Sequence, residues 1–374
     1  ADMFGLPDSE QLIQLPWKPE VGWLPSDIYL DGKIVEHGPR TVLKNILAYA
    51  ESKGYRMKSG VECEYFILNP EGTKVSDHAD LQPKPCYDQQ ALMRRYDMVA
   101  EICDNMQTLG WGPYQNDHED ANGQFEMNWD YSDALITADR HSFFKYMVKT
   151  VAENHGFRAT FMPKPLPSLT GNGCHAHISV WNNDGKNNLM EDSNGELGLS
   201  ELAYHFIGGL LKHATSITAV TNPVVNSYKR INAPRTTSGA TWSPNTVTYS
   251  GNNRTHMIRI PDNDRIEVRL ADGAANPYLL QAVLIGTGLW GLENKTNPGK
   301  RLDIDMYAEG HKVRNAPKLP LNLLDALSNF KQNKILRVIL GEAFSDSYYK
   351  LKMDEWNQFM QHFSEWERLN ALDV

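Results

Sequence analysis

The chain has 374 residues, 41% hydrophobic and 22% charged, which excludes a disordered or fibrous protein and leaves room for one large domain or two ordinary ones. Its net charge of −9 argues against a nucleic-acid partner, because a phosphate backbone attracts basic surfaces. Residues 1–38, rich in Pro, Gly and Trp, hold short β-like runs too small to form a core alone. A helix is predicted over Pro39–Ser52, with proline in its first turn and Gly54 past its end. The run 57–69, MKSGVECEYFILN, reads as a strand with Glu62 and Glu64 on one face. Two such carboxylates repel unless something positive sits between them.

A half-buried helix is predicted over 88–109, where Leu92, Tyr96, Val99, Cys103 and Met106 recur at three- and four-residue spacing. The turn residues Asn116-Asp117 and Asn122-Gly123 bracket His118, Glu119 and Asp120, and a β-like run from Gln124 carries Glu126. An amphipathic helix over 135–155 is closed by Gly156. After Gly171-Asn172-Gly173 a strand places His175 and His177 on one face. A single histidine is usually a core or surface residue, whereas two on one face after a glycine turn favour a ligand. A polar loop (182–197) and a helix (199–214) lead to 226–243, a long loop carrying Arg230 and Arg235. Loops of that length are usually lids or binding loops.

The stretch 252–270, NNRTHMIRIPDNDRIEVRL, reads as a β-hairpin around the turn Pro261-Asp262-Asn263-Asp264. Ile258, Ile260, Ile266, Val268 and Leu270 form apolar faces, while Arg254, Arg259, Arg265 and Arg269 gather around Glu267. One reading is a solvated sheet face. Ordinary surfaces, however, mix lysine and both signs of charge, and guanidinium forks grip phosphate and carboxylate bidentately. This favours a site for an anionic substrate and a polyphosphate. Asn276-Pro277 caps an apolar helix over 278–293, and 319–371 is helical. The apolar run is too short for a bilayer of roughly 30 Å, so no membrane partner is expected. Cys63, Cys86, Cys103 and Cys174 contain no Cys-x-x-Cys pair. Neither a zinc ribbon nor a disulfide framework is indicated, which fits a reducing cytoplasm.

Glu62, Glu64, Glu119, Glu126, His175 and Glu267 stand out as ligands. Carboxylates with one imidazole suit Mg²⁺ or Mn²⁺ rather than copper or zinc, and the set could hold two ions. Spacing alone does not make these residues meet; each only lies on a segment able to present it.

In chain order the motifs GVECEYF, NGQFE, FMPKP, GNGCHAHISVW, NPVVNSYKR, NNRTHMIRIP and RIEVR…DGAANPYLLQA resemble the glutamine synthetase family. The resemblance covers nearly the whole chain and points to the branch of type III glutamine synthetases and γ-glutamylmethylamide synthetases. It implies an α+β fold: a catalytic domain at 39–374, built on a curved antiparallel sheet with flanking helices, after part of an N-terminal β-grasp domain at 1–38. It also implies a cytoplasmic homo-dodecamer with active sites between subunits. By motif, Glu64, Glu119 and Glu126 resemble the ligands of one metal, and Glu62, His175 and Glu267 those of another. Arg230 and Arg269, with Gly171 on the same loop as the GNG turn, resemble the residues that hold glutamate. Arg254, Arg259 and Arg265 resemble those on the ATP phosphates and the transferred phosphoryl group. Tyr131, His177 and Ser179 fall at the nucleotide and Tyr87 near the amine. Arg254, Glu119 and Arg230 are the implied catalytic residues. The implied reaction is an ATP-dependent ligation of the L-glutamate γ-carboxylate to ammonia or a small primary amine such as methylamine, through γ-glutamyl phosphate.

The chain departs from the family pattern at Thr170, where an asparagine is usual, and in the flap 232–244, which lacks the usual acid. The family's ammonium-binding aspartate motif lies upstream of Ala1, so the chain is expected to be processed or a fragment, with weakened assembly. These departures keep methylamine and ethylamine beside ammonia as amines, with Trp242 on the flap as an apolar contact for an alkyl group. Larger amines are a rival substrate. A non-catalytic structural or regulatory relative is the other rival; such a protein would be expected to lose ligands, yet all the ligand positions here are Glu or His. The sequence around Tyr307 does not match an adenylylation site well.

Overall fold

A computed structural model describes residues 2–374. The N-terminal strands are β1 (Met3–Pro7), β2 (Ile13–Gln14), β3 (Gly22–Trp23), β4 (Ser26–Leu30) and β5 (Lys33–Ile34). They make a three-stranded sheet ordered β1-β4-β5 and a separate β2-β3 pair. Charge ties them to the rest of the chain. The buried Arg40 guanidinium donates to Asp8 (2.7 Å), Asp27 (3.1 Å) and Asp139 (3.1 Å), two of them N-terminal and one far along the chain.

Beyond them run α1 (Pro39–Ser52), β6 (Tyr55–Cys63), β7 (Tyr65–Leu68), α2 (Gln89–Met93), α3 (Tyr96–Thr108), β8 (Pro113–His118), β9 (Gln124–Trp129), β10 (Ser132–Asp133), α4 (Ala134–Asn154) and β11 (Arg158–Thr160). Then follow β12 (Cys174–Asn182), α5 (Glu201–Thr221), α6 (Ser227–Ile231), β13 (Tyr249–Ser250), β14 (Ile258–Asp262), β15 (Arg265–Val268) and α7 (Pro277–Glu293). The C-terminal part is helical: α8 (Met306–Glu309), α9 (Leu323–Gln332), α10 (Lys334–Leu340), α11 (Glu342–Gln361) and α12 (Glu365–Ala371).

The central sheet has six strands ordered β10-β6-β12-β15-β14-β13, and a four-stranded sheet runs β11-β7-β9-β8. Every pair is antiparallel except the edge pair β13–β14, which is parallel. Helices α5 and α7 pack against each other at Gly209 and Gly291, where a Cβ on Gly209 would lie 2.7 Å from the Gly291 Cα. Helix α7 is apolar all round because it is buried on nearly every side. Among the described residues, no helix is long and apolar enough to cross a membrane.

Several local expectations fail, among them the loop read over 226–243, which opens with α6 and so places Arg230 on a helix. The strand read over 57–69 is broken at Glu64, so that β6 joins the six-stranded sheet and β7 the four-stranded one. The helix over 88–109 is split at Arg94 and Arg95, whose Nε atoms leave the helix line for Asp77 (2.5 Å) and Ser76 (3.0 Å). Asn116 and Asp117, read as a turn, lie in β8, where β9 supplies the pairing that outweighs their turn preference.

Candidate active site

Strand register builds the site. Glu62 on β6 faces His175 on β12, His177 faces Glu267 on β15, and Glu267 faces Arg259 on β14. Residues two apart on a strand share a face, so His175 and His177 stand side by side, and neighbouring strands extend the row with Glu62, Glu267 and Arg259. His177 Nε2 lies 2.9 Å from Glu62, and His175 Nδ1 lies 3.3 Å from Glu62 and 3.6 Å from Glu267. Arg259 and Arg269 donate to Glu267 at 2.7 and 2.5 Å. Arg265 donates to His177 Nδ1 at 3.2 Å.

The second sheet adds the remaining acids. Glu126 on β9 lies across the junction, and its carboxylate meets Glu62 and His175 with ligand atoms within 4.8 Å of one another. Glu62, His177 and Glu267 form a second such group. Glu64, at the break between β6 and β7, accepts from Gly173 N (2.6 Å) and Gln124 Nε2 (3.0 Å). Glu119, just after β8, accepts from Asp120 N (3.1 Å). The resemblance grouped Glu126 with Glu64 and Glu119; the geometry sets it beside Glu62 and His175.

Charge is unevenly settled across this cluster. Burial pushes the Glu62 and Glu267 carboxyls upward, but hydrogen bonds from His175 and His177 outweigh it at Glu62, and Arg269 with the same histidines outweighs it at Glu267. Both are held below the usual carboxylate range. Glu119 goes the other way, pushed up to about 8 by burial and then by the charge of Glu64. Glu126 is pushed well above its ordinary value by burial, then by Glu62 and Glu119. The protein groups thus leave Glu119 and Glu126 short of positive charge. His175 Nε2 is buried with no hydrogen-bond partner. Oxygen-rich acids with one imidazole and a charge deficit fit hard divalent cations. Gly173 leaves room for this arrangement, since a Cβ there would lie 2.7 Å from His175 Nε2 and 3.0 Å from Arg230 Nη2.

Two cavities meet here. The larger, about 410 Å³, is lined by the acids Glu62, Glu64, Glu119 and Glu126 with His175 and His177. Tyr87, Trp242, Arg254, Arg259, Arg265 and Arg269 complete its wall. The smaller, about 160 Å³, includes Tyr131, Ser179 and Trp181 in its wall. Glu62, Tyr114, His177 and Arg265 line both. The Tyr131 and Trp181 rings lie 6.5 Å apart and 22° from parallel, and Trp181 Nε1 donates to Ser179 at 2.8 Å. Arg254 is exposed at the larger cavity and, among the described residues, makes no hydrogen bond or ion pair. Arg230 is buried behind the Gly171 loop and donates to Leu270 O at 3.0 Å; it does not line either cavity. A Cβ on Gly171 would lie 2.3 Å from Pro163 O.

Sequence reasoning missed Gln124, Asp120, Tyr114 and Cys86. Gln124 Nε2 joins Glu64, Gly171 O and Asn172 across 3.0 to 3.1 Å, fixing the glycine turn to the second sheet. Asp120 accepts from Thr170 and, at 2.5 Å, from Ser238, so it pins the flap to the Glu119 loop. Its position beside Glu119 was the available signal. Nothing in the sequence marked Tyr114 or Cys86.

Acids for hard cations, a rim of arginines for a polyanion and an aromatic side cavity define the class of enzymes that move a phosphoryl group from a nucleotide. The comparisons agree and narrow it: the chain belongs to the glutamine synthetase family, with residues 36–371 matching the model "Glutamine synthetase, catalytic domain". A "Glutamine synthetase" of Rhizobium meliloti (strain 1021) is 61% identical over the whole chain and 86% of that relative. A "Glutamate--methylamine ligase" of Methyloversatilis universalis is 39% identical over 98% of the chain and 84% of that relative. The solved structure described as "GmaS/ADP complex-Conformation 1" superposes with a TM-score of 0.96 at 60% identity, over the whole chain and 86% of that structure.

Proposed function

We propose that this chain is an ATP-dependent ligase that joins the γ-carboxylate of L-glutamate to a small amine, with methylamine used at least as well as ammonia. The observation that carries the reading is the contiguity of the two cavities. The acidic row, the arginine rim and the stacked Tyr131–Trp181 pair share Glu62, His177 and Arg265. The 39% identity to a glutamate–methylamine ligase and the match to the GmaS/ADP structure support it.

In the first step a γ-carboxylate oxygen attacks the γ-phosphorus of ATP and the bond to ADP breaks. In the second the amine nitrogen attacks the resulting acyl phosphate, the C–O bond breaks and phosphate leaves. A carboxylate alone is a poor electrophile, because oxide is its leaving group; phosphorylation supplies a better one. Tyr131, His177 and Ser179 hold the nucleotide, and Arg259 and Arg265 hold its phosphates. Arg254, with no protein partner among the described residues, meets charge that grows on the moving phosphoryl group. Arg269 and the Gly171 loop hold glutamate, and buried Arg230 supports that loop from behind. Glu62, His175, Glu267, Glu64, Glu119 and Glu126 would hold Mg²⁺ or Mn²⁺. When bound, such ions neutralise the phosphates and polarise the transferred group. Glu119, beside Tyr87 and Trp242 in the cavity wall, accepts the proton that an ammonium must lose before it can attack.

The domain reading divides the chain into a small β unit at 1–38 and the catalytic domain at 39–374. The reading includes a reaction in the cytoplasm, supported by the lack of a disulfide framework, and self-assembly of the chain. The test of the function is phosphate release with glutamate and ATP across ammonia, methylamine and ethylamine, with the product mass identified. We expect kcat/KM for methylamine to equal or exceed that for ammonia. Methylamine tenfold or more worse would return the chain to glutamine synthesis, and amine-independent release with no amide product would refute ligation.

A further inference from the structure

Directly behind the acidic row lies a second group of ligand-type side chains that the ligase chemistry does not use. The β6–β12 register sets Cys63 opposite Cys174. The next pair along, Glu64 and Gly173, is joined by Glu64 N to Gly173 O at 3.1 Å. Hydrogen-bonded and non-hydrogen-bonded pairs alternate along an antiparallel ladder, so the cysteines occupy the non-hydrogen-bonded kind, where facing side chains come closest. His141 on α4 reaches down onto them, with its Nε2 3.9 Å from Cys174 Sγ. The two sulfurs and a ring nitrogen all lie within 4.8 Å of one another, and all three residues are buried. The cysteines are free thiols.

The imidazole is the second, independent observation. His141 is only 1% exposed, and among the described residues its Nδ1 has no partner and its Nε2 only the long thiol contact. A buried polar ring without hydrogen bonds is costly, and native structures rarely keep one without a reason. We propose that Cys63, Cys174 and His141 form a thiolate–imidazole site for a soft cation, of which Zn²⁺ is the fitting example. Zinc–sulfur bonds of about 2.3 Å and zinc–nitrogen bonds of about 2.0 Å put ligand atoms roughly 3.5–4 Å apart around a shared ion, which the 3.9 Å between His141 Nε2 and Cys174 Sγ matches. Sulfur and imidazole select such a cation over Mg²⁺, which prefers the oxygen-rich row in front. On binding, both thiols give up their protons to water and His141 binds as the neutral ring. Two thiolates and one divalent cation carry no net charge, so the group suits an apolar core. Cys63 adjoins Glu62 and Glu64 and Cys174 adjoins His175 in the chain, so the ion would brace the strand pair beneath the acidic row.

The proposal does not rest on the ligase reading, and its test does not read turnover. The full chain, reduced, is loaded with Zn²⁺ and dialysed against excess Mg²⁺ to compete at the carboxylates, and bound zinc is counted. Wild type should retain one zinc more per chain than Cys63→Ala or Cys174→Ala. Replacing zinc by Co²⁺ should give a thiolate-to-cobalt charge-transfer absorption that both variants lack. Cys86 lines the acidic cavity and is the other thiol a carboxylate-bound cobalt could meet, so Cys86→Ala, which should keep the band, decides even if a Cys63 or Cys174 variant fails to fold; loss of the band in Cys86→Ala would overturn the proposal. Absence of the band from wild type, or a Cys63–Cys174 disulfide that forms in preference to zinc retention, would overturn it too.

Discussion

At the scale of single residues, the site is an arrangement of charges that the protein alone does not balance. Glu119 shows this most directly, since burial and Glu64 push its carboxyl up to about 8 from an ordinary 4.5. Between those values the folded chain binds a proton that the unfolded chain has released. Without divalent cations, this group therefore makes stability fall as pH rises from about 4.5 to about 8, with no further loss above. A divalent cation that displaces this proton reverses the trend. Mg²⁺ should raise the Tm more near pH 8 than near pH 5, and calorimetry near pH 7 in buffers of different ionisation enthalpy should register proton release. Glu119→Gln should shrink that release. A Mg²⁺ effect independent of pH, with no proton released, would contradict the charge deficit described here. The residues themselves were legible in the sequence: Glu62, His175 and Glu267 stood out on strand faces before their neighbours were known. Which acids meet was not, because that depends on how β9 crosses toward β6, a long-range pairing that local alternation does not encode.

At the scale of elements, α1, α4, β9, β12 and the β14–β15 hairpin follow from periodicity and from their flanking Gly and Pro, and they hold most of the site. The departures occur where tertiary contacts override local preference. Glu64 interrupts a run that reads as one strand, because Gly173 and Gln124 capture it between two sheets. The flap shows the same limit. It has no acid of its own, yet Ser238 fastens it to Asp120, and Thr237 N to Ser168 O at 2.9 Å. Trp242 within it adopts φ 50, and its ring meets Tyr307 edge-on with centroids 6.2 Å apart. A bulky side chain at positive φ is unusual enough to point to a function for its placement. Burying one methyl group is worth about 0.8 kcal/mol, or about a factor of four in affinity. Trp242→Ala should therefore lower kcat/KM for methylamine about fourfold more than for ammonia. Equal losses for the two amines would remove Trp242 from the amine contact.

At the scale of the whole molecule, ordered motifs along nearly the entire chain made the family legible, although no single motif would have sufficed. Assembly is less so, because a surface for another copy looks like any exposed apolar patch until a partner covers it. Met3, Phe4 and Leu6 near one end, and Phe363, Trp366, Leu369 and Leu372 near the other, are exposed. Such clusters usually mark interaction surfaces. Light scattering at micromolar concentration should give a mass several times 42.4 kDa, whereas a monomer would contradict self-assembly. Glutamate is proposed to be activated through its own carboxylate oxygen before the amine attacks. Glutamate carrying ¹⁸O in its γ-carboxylate, turned over with ATP and methylamine, should pass one ¹⁸O into each phosphate released; unlabelled phosphate alongside γ-glutamylmethylamide would contradict the account.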